Sequence, residues 1–198
     1  MKAVLLVLGL AFAMMPAKPA KNIPFPICRP AYGDSGIKIN PAAARPLISI
    51  SRLDLYTRVC EARRIRYRRG TKPGACELGH FPPADSHLDC SGFVQGAIAY
   101  ATEGRLILPQ GSVEQLEWFA RHGYKRCNIL DAGINDGKLH ICFHRPGHLE
   151  RSGHVWLVYR RQTMECWGEH GVGSRFWNAR TQSGYRLSDL CDACFVLN

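Results

Sequence analysis

The spacing of apolar residues changes once along this chain, and that change constrains the fold more than any other feature. After Gly137, "LHICFH", "HVWLVYR" and "TMECW" are short, apolar and β-rich, and "YRRQT" supplies a turn between the last two. Before Gly137 the spacing is helical. Ile48 to Arg66 alternates apolar and basic residues, and Phe93, Val94, Ala97, Ile98 and Ala101 mark one buried helical face that ends at Gly104. Ser112 to His122 reads as a further helix, with Ser112 as its cap and Gln115 completing a capping box. "DACFVLN" near the end reads as an edge strand. Helices first and an antiparallel sheet afterwards predict an α+β domain with the helices packed on one face of the sheet. The 198 residues suit one such domain.

The first residues, "MKAVLLVLGLAFAMMPAKPAK", place one lysine before a non-polar stretch and a small-x-small step at Ala11-Phe12-Ala13. This is the anatomy of a secretory leader over residues 1–13, too short to span a bilayer, and it predicts a secreted or periplasmic protein. The alternative is a buried N-terminal strand or helix. Residues 14–47 are rich in proline, which fixes φ and donates no hydrogen bond, so an extended arm is expected there. The folded domain then covers 48–198. No membrane span is expected, and nothing points beyond a monomer.

The formal net charge is +10, densest in "RRIRYRRG" from Arg63 to Gly70. A basic surface attracts anionic polymers, or simply keeps a protein soluble. No zinc-finger, helix-turn-helix or RNA-binding signature accompanies it, so nucleic acid is not the expected partner.

Nine cysteines are an odd number. In an exported protein eight can pair into four bridges and leave one thiol over, which predicts a disulfide-stapled domain. Cys191-x-x-Cys194 reads as two structural half-cystines with different partners. A zinc half-site would need a second ligand pair at close spacing, and a redox motif would need a strand–motif–helix setting. No metal and no cofactor are expected.

The thiol left over is best sought in "HLDCSGFVQG". Asp89 suits a helix N-cap, which puts Cys90 at the first helical position. The partial positive charge of a helix N-terminus lowers a thiol's pKa, and the thiolate is the nucleophilic form. Gly92 has no side chain and would let a substrate backbone approach. The competing reading is a small buried hydrophobe. A nucleophilic thiol also needs a base, and His154 at the start of "HVWLVYR" can project its ring from a sheet edge.

Taken together, "DCSGFV", two helices, "GHVWLV", a turn and "TMECWGEHGVG" resemble the NlpC-type cell-wall peptidases of the papain-like superfamily. "YRRG" at Tyr67 to Gly70 looks like that family's Tyr-Arg-x-Gly stretch. The resemblance covers roughly residues 50–177. It departs from the family pattern before the histidine strand, where Pro146-Gly147 is followed by His148 rather than an aspartate. It implies a papain-like core and a secreted cysteine peptidase that hydrolyses stem-peptide amide bonds of bacterial peptidoglycan through a Cys90 thioester. It implies His154 as base and a third polar residue on the next strand, with Glu165 first and His170 second. It places Tyr67, Ser91 and Gly92 on the oxyanion and substrate side, with the Cys90 N–H as an oxyanion donor. An anionic wall polymer fits the basic charge. Trp156, Trp167 and Trp177 are read as packing residues ahead of a groove lining. Two other readings stay open: a papain-like amidase or acyltransferase on another substrate, and a non-catalytic, disulfide-rich basic binding protein.

Overall fold

The computed structural model describes residues 45–128, 130, 133, 135–147 and 152–197. The expected leader, the arm up to residue 44, Cys28 and His148 lie outside the described residues.

Helix α1, Ile50–Ala62, starts at Ser49, whose hydroxyl accepts from the Arg52 N–H, and buries Leu53, Tyr56, Thr57 and Cys60. That i, i+3, i+4, i+7 series is one face of a helix. Two short strands follow, β1 (Arg66–Tyr67) and β2 (His87–Leu88), paired in parallel with Tyr67 opposite Leu88. They set Tyr67 beside the start of the next helix. Helix α2, Cys90–Ala101, is buried almost all round, as its apolar composition requires of a central helix. It ends where Glu103 and Gly104 turn left-handed, with φ of 56° and 76°. Their N–H groups return to Tyr100 and Ala99 carbonyls at 3.3 and 2.8 Å, which closes the last turn.

Helix α3, Ser112–Arg121, departs from the expected capping box: its N-cap is Gly111, and no side chain caps it. Gln115 is instead fully buried, and its amide donates to the Ser91 and Pro109 carbonyls, both at 3.0 Å. Satisfying two buried carbonyls outweighs satisfying one exposed helix N–H.

The five remaining strands form one antiparallel sheet. They are β3 (Leu139–His144), β4 (His154–Tyr159), β5 (Gln162–Trp167), β6 (Gly171–Gly173) and β7 (Ala193–Val196), in the order β6-β5-β4-β3-β7. The expected edge strand at the end of the chain is therefore present. Arg160 and Arg161, with φ of 48° and 65°, make the two-residue turn between β4 and β5. Left-handed residues at both positions match the twist of the flanking strands. The turn fixes Leu157 opposite Met164. One step further sets Glu165 across from Trp156, on the face that carries His154.

Both faces of the sheet are covered. Phe93, Val94, Ala97 and Ile98 of α2 pack with Ile141, Phe143, Val155, Leu157 and Phe195 in the main core. Each fully buried side chain of this size contributes about 1.5–3 kcal/mol relative to exposure. The opposite face carries Cys142, Trp156 and Val158, packed under Trp177, Leu190 and Cys191. Strands enclosed on both sides read as continuous apolar runs rather than alternating ones, which is why all six residues of β3 are buried. Trp156 and Trp177 are packing residues, as expected. None of the described helices is long and apolar enough to cross a membrane.

The expectation of four bridges and one leftover thiol does not hold. Cys127 and Cys194 form a disulfide, and Cys76 is disulfide-bonded, but Cys60, Cys90, Cys142, Cys166 and Cys191 are all free. Cys60 shares a hydrogen bond with Tyr56 inside the core, and Cys166 donates to the Leu88 carbonyl at 3.3 Å. These two behave as small buried hydrophobes. The CxxC pair is not two half-cystines as expected: Cys194 is bridged to Cys127, but Cys191 is a free thiol.

Candidate active site

Asp89 builds the start of α2. One carboxylate oxygen accepts the Gly92 N–H at 2.7 Å and the Ser91 hydroxyl at 3.1 Å. The other accepts the Gly70 N–H at 3.1 Å and pairs with the Lys72 ammonium. The Asp89 N–H donates to the Thr71 carbonyl at 2.9 Å. The cap that starts the helix thus also ties the 70–72 loop against it. This loop takes the space expected for substrate at Gly92: a Cβ there would lie 2.7 Å from the Thr71 oxygen. Gly92 is glycine because the chain's own backbone approaches it. Ser91 is buried, its hydroxyl spent on Asp89 and its carbonyl on Gln115.

Cys90 stands at the first helical position, 5% exposed, with its thiol hydrogen-bonded to His154 and to the Val155 N–H. His154 is the first residue of β4 and presents its ring at the end of the sheet. Its Nε2 lies 2.8 Å from Glu165 Oε2, which leaves Nδ1 to Cys90. Trp156 stacks on the ring at 5.3 Å between centroids and fixes its plane. Glu165 is fully buried on β5, and Arg175 grips it with Nε to Oε1 at 2.9 Å and Nη2 to Oε2 at 3.0 Å. The result is an unbroken line: thiol, imidazole, carboxylate, guanidinium.

The electrostatics follow from this line. Burial pushes the Cys90 thiol up, but the hydrogen bond and charge of His154 and the Val155 N–H outweigh it, so its pKa falls below the ordinary value. Burial works against the His154 cation, yet the bonds to Cys90 and Glu165 and their charges raise it to about 10. Burial also opposes the Glu165 carboxylate, and the bonds and charges of His154 and Arg175 hold it at about 2. A lowered thiol beside a raised imidazole favours the thiolate–imidazolium pair, the nucleophilic form.

Tyr67 lies beside the pair. Burial, then the negative charges of Cys90 and Asp89, push its phenol up to about 12, so it remains a hydrogen-bond donor. Tyr67, His154, Trp167, Arg175, Gln182 and Leu187 are among the residues around a cleft of about 260 Å³. His170, the second choice for a third residue, lines a different cavity of about 440 Å³ with Arg64 and Arg66. It contacts Trp167 and is not brought to the His154 ring. Of the expected residues, Cys90, His154, Glu165 and Tyr67 converge, Ser91 and Gly92 support the helix start, and His170 stands apart.

Arg175 and Lys72 are the members that sequence reasoning missed. The available signal was Glu165 itself: a carboxylate in an apolar strand requires a cation or several donors.

No protein-family model and no curated protein matches the chain.

Proposed function

We propose that this chain is a secreted or periplasmic cysteine peptidase with a papain-like core that hydrolyses stem-peptide amide bonds of bacterial peptidoglycan. The observation that carries this reading is the hydrogen-bonded series Cys90–His154–Glu165, closed by the Arg175 clamp. The likeness of "DCSGFV" and "GHVWLV" to the NlpC-type peptidases supports the substrate class, as does the net charge of +10 toward an anionic polymer.

The Cys90 thiolate attacks the amide carbonyl carbon, and the π electrons move to oxygen. The Cys90 N–H, which has no carbonyl one turn back to bond, and the Tyr67 hydroxyl receive that oxyanion. The His154 imidazolium gives its proton to the leaving nitrogen as the C–N bond breaks, which leaves a thioester and a free amine. Neutral His154 then takes a proton from water as the oxygen attacks the thioester. Collapse expels the thiolate and releases the acid, and the proton on His154 restores the ion pair. Glu165 holds the imidazole in the tautomer that aims Nδ1 at sulfur, and Arg175 keeps Glu165 ionised. The same machinery serves an acyltransferase when an amine replaces water.

The test is digestion of purified peptidoglycan by the wild type and by Cys90→Ala, with fragment masses read by mass spectrometry. The expected result is stem-peptide fragments with new amino and carboxyl ends from the wild type alone. Fragments joined to an added amine would identify a transferase, and equal release by both proteins would overturn the proposal.

A further inference from the structure

A second cluster of chemically capable side chains lies at the other edge of the sheet. The donor atoms of Cys127, His140 and Cys194 all sit within 4.8 Å of one another, and His140 Nδ1 is 3.9 Å from Cys194 Sγ. His140 is on β3 and Cys194 on the neighbouring β7, and both are buried. On the far side of the ring, Asp136 Oδ1 lies 3.2 Å from His140 Nε2. A carboxylate there holds the Nε2–H tautomer and leaves the Nδ1 lone pair facing the two sulfurs. This is the outer-shell arrangement that orients imidazole ligands in metal sites.

We propose that Cys127, His140 and Cys194 form, in the reduced protein, a binding site for a thiophilic divalent cation such as zinc, and that the Cys127–Cys194 disulfide is the oxidised, cation-free state of the same site.

Two sulfurs and one imidazole nitrogen are a borderline-soft donor set suited to zinc, with a fourth position for water or for Cys142. Cys142 is the cross-strand partner of Cys194 and lies two residues along β3 from His140, on the same face. Binding requires the two sulfurs to part to about 3.8 Å, the edge of a tetrahedron with bonds of about 2.3 Å. The backbone keeps them near that separation without the covalent bond, because the Cys127 N–H donates to the Cys194 carbonyl at 3.0 Å. Oxidation by a small-molecule disulfide closes the site. The two thiolates join as one S–S bond, two electrons pass to the oxidant and break its own S–S bond, the two thiolates so formed take two protons from water and leave as thiols, and the cation is released to solvent.

The probe is cobalt(II), which reports tetrahedral thiolate coordination by charge-transfer and intense d–d absorption. It is titrated into wild-type protein reduced with a phosphine and desalted, and into the same protein with its disulfide intact. The reduced form is expected to bind one cobalt per chain with the tetrahedral spectrum, and the oxidised form none. The five free thiols among the described residues are present in both forms, whereas reduction also opens the bridge at Cys76, so equal binding by the two forms would overturn the proposal, as would no tetrahedral band in the reduced form or a band that survives both His140→Ala and Cys127→Ser. His140→Ala and Cys127→Ser should lose the spectrum, and Asp136→Asn should weaken binding about tenfold. Cys90→Ala should retain it, so the result is independent of the hydrolase reading.

Discussion

Arg175 holds Glu165 by both carboxylate oxygens, at 2.9 and 3.0 Å, at a position with no access to water. Removing the guanidinium would leave two buried negative charges, Glu165 and the Cys90 thiolate, to share the His154 cation. Arg175→Gln should therefore destabilise the fold by about 3–5 kcal/mol, measured by urea unfolding. Arg175→Lys should recover part of that loss, because an ammonium restores charge without the two-pronged geometry.

Stability should depend on pH at both ends of the range. Glu165 titrates at about 2 in the fold against 4.5 for a free carboxyl. Its contribution is complete above about 4.5 and is lost as pH falls toward 2. His154 is raised from 6.5 to about 10, so its contribution is complete below about 6.5 and is lost as pH rises through 10. Urea midpoints measured across pH should fall at both ends, and Glu165→Gln should flatten the acid limb.

Cys90 should react with iodoacetamide at neutral pH in the native protein, because its pKa is lowered while burial pushes Cys60 to about 12 and Cys166 higher still. Peptide mapping after brief alkylation should find the label on Cys90. In His154→Ala the same labelling should need alkaline pH, since both the hydrogen bond and the positive charge are gone.

Gly92→Ala should act through the 70–72 loop. The new methyl group meets the Thr71 carbonyl, which is itself bonded to the Asp89 N–H. Overpacking of this kind costs about 1–3 kcal/mol. Thermal unfolding should show it, together with slower Cys90 alkylation.

Much of this site could be read from residue order alone, because local rules place its two reactive groups. Asp89 caps a helix, so Cys90 opens it; Gly153 precedes a strand, so His154 begins it. The tight turn at Arg160-Arg161 then sets which face Glu165 takes. What could not be read depends on tertiary packing. Arg175 reaches Glu165 only because the hairpin of β5 and β6 sets Glu165 opposite Gly173 and brings the chain back alongside β5. Gln115 fits a capping box as well as a buried amide, and only the proximity of the Ser91 carbonyl decides between them. The cysteines carry no local signal for their partners, so Cys60 and Cys166 look like half-cystines in sequence and are core thiols in the fold. Gly92 was legible as a close approach, but not as an approach by its own loop.

Under the proposed mechanism, Glu165→Ala should lower turnover less than Cys90→Ala or His154→Ala, because it would remove the group that orients the base and leave nucleophile and base in place. Steady-state rates on a soluble stem peptide should rank the three variants in that order.

The most direct measurement is capture of the covalent intermediate: wild type mixed with a stem peptide, quenched in acid within one turnover, and mapped by mass spectrometry. The account predicts the acyl half of the substrate as a thioester on Cys90, absent in Cys90→Ala along with fragment release. An acyl group on any other residue, or fragments released at the same rate by Cys90→Ala, would contradict it.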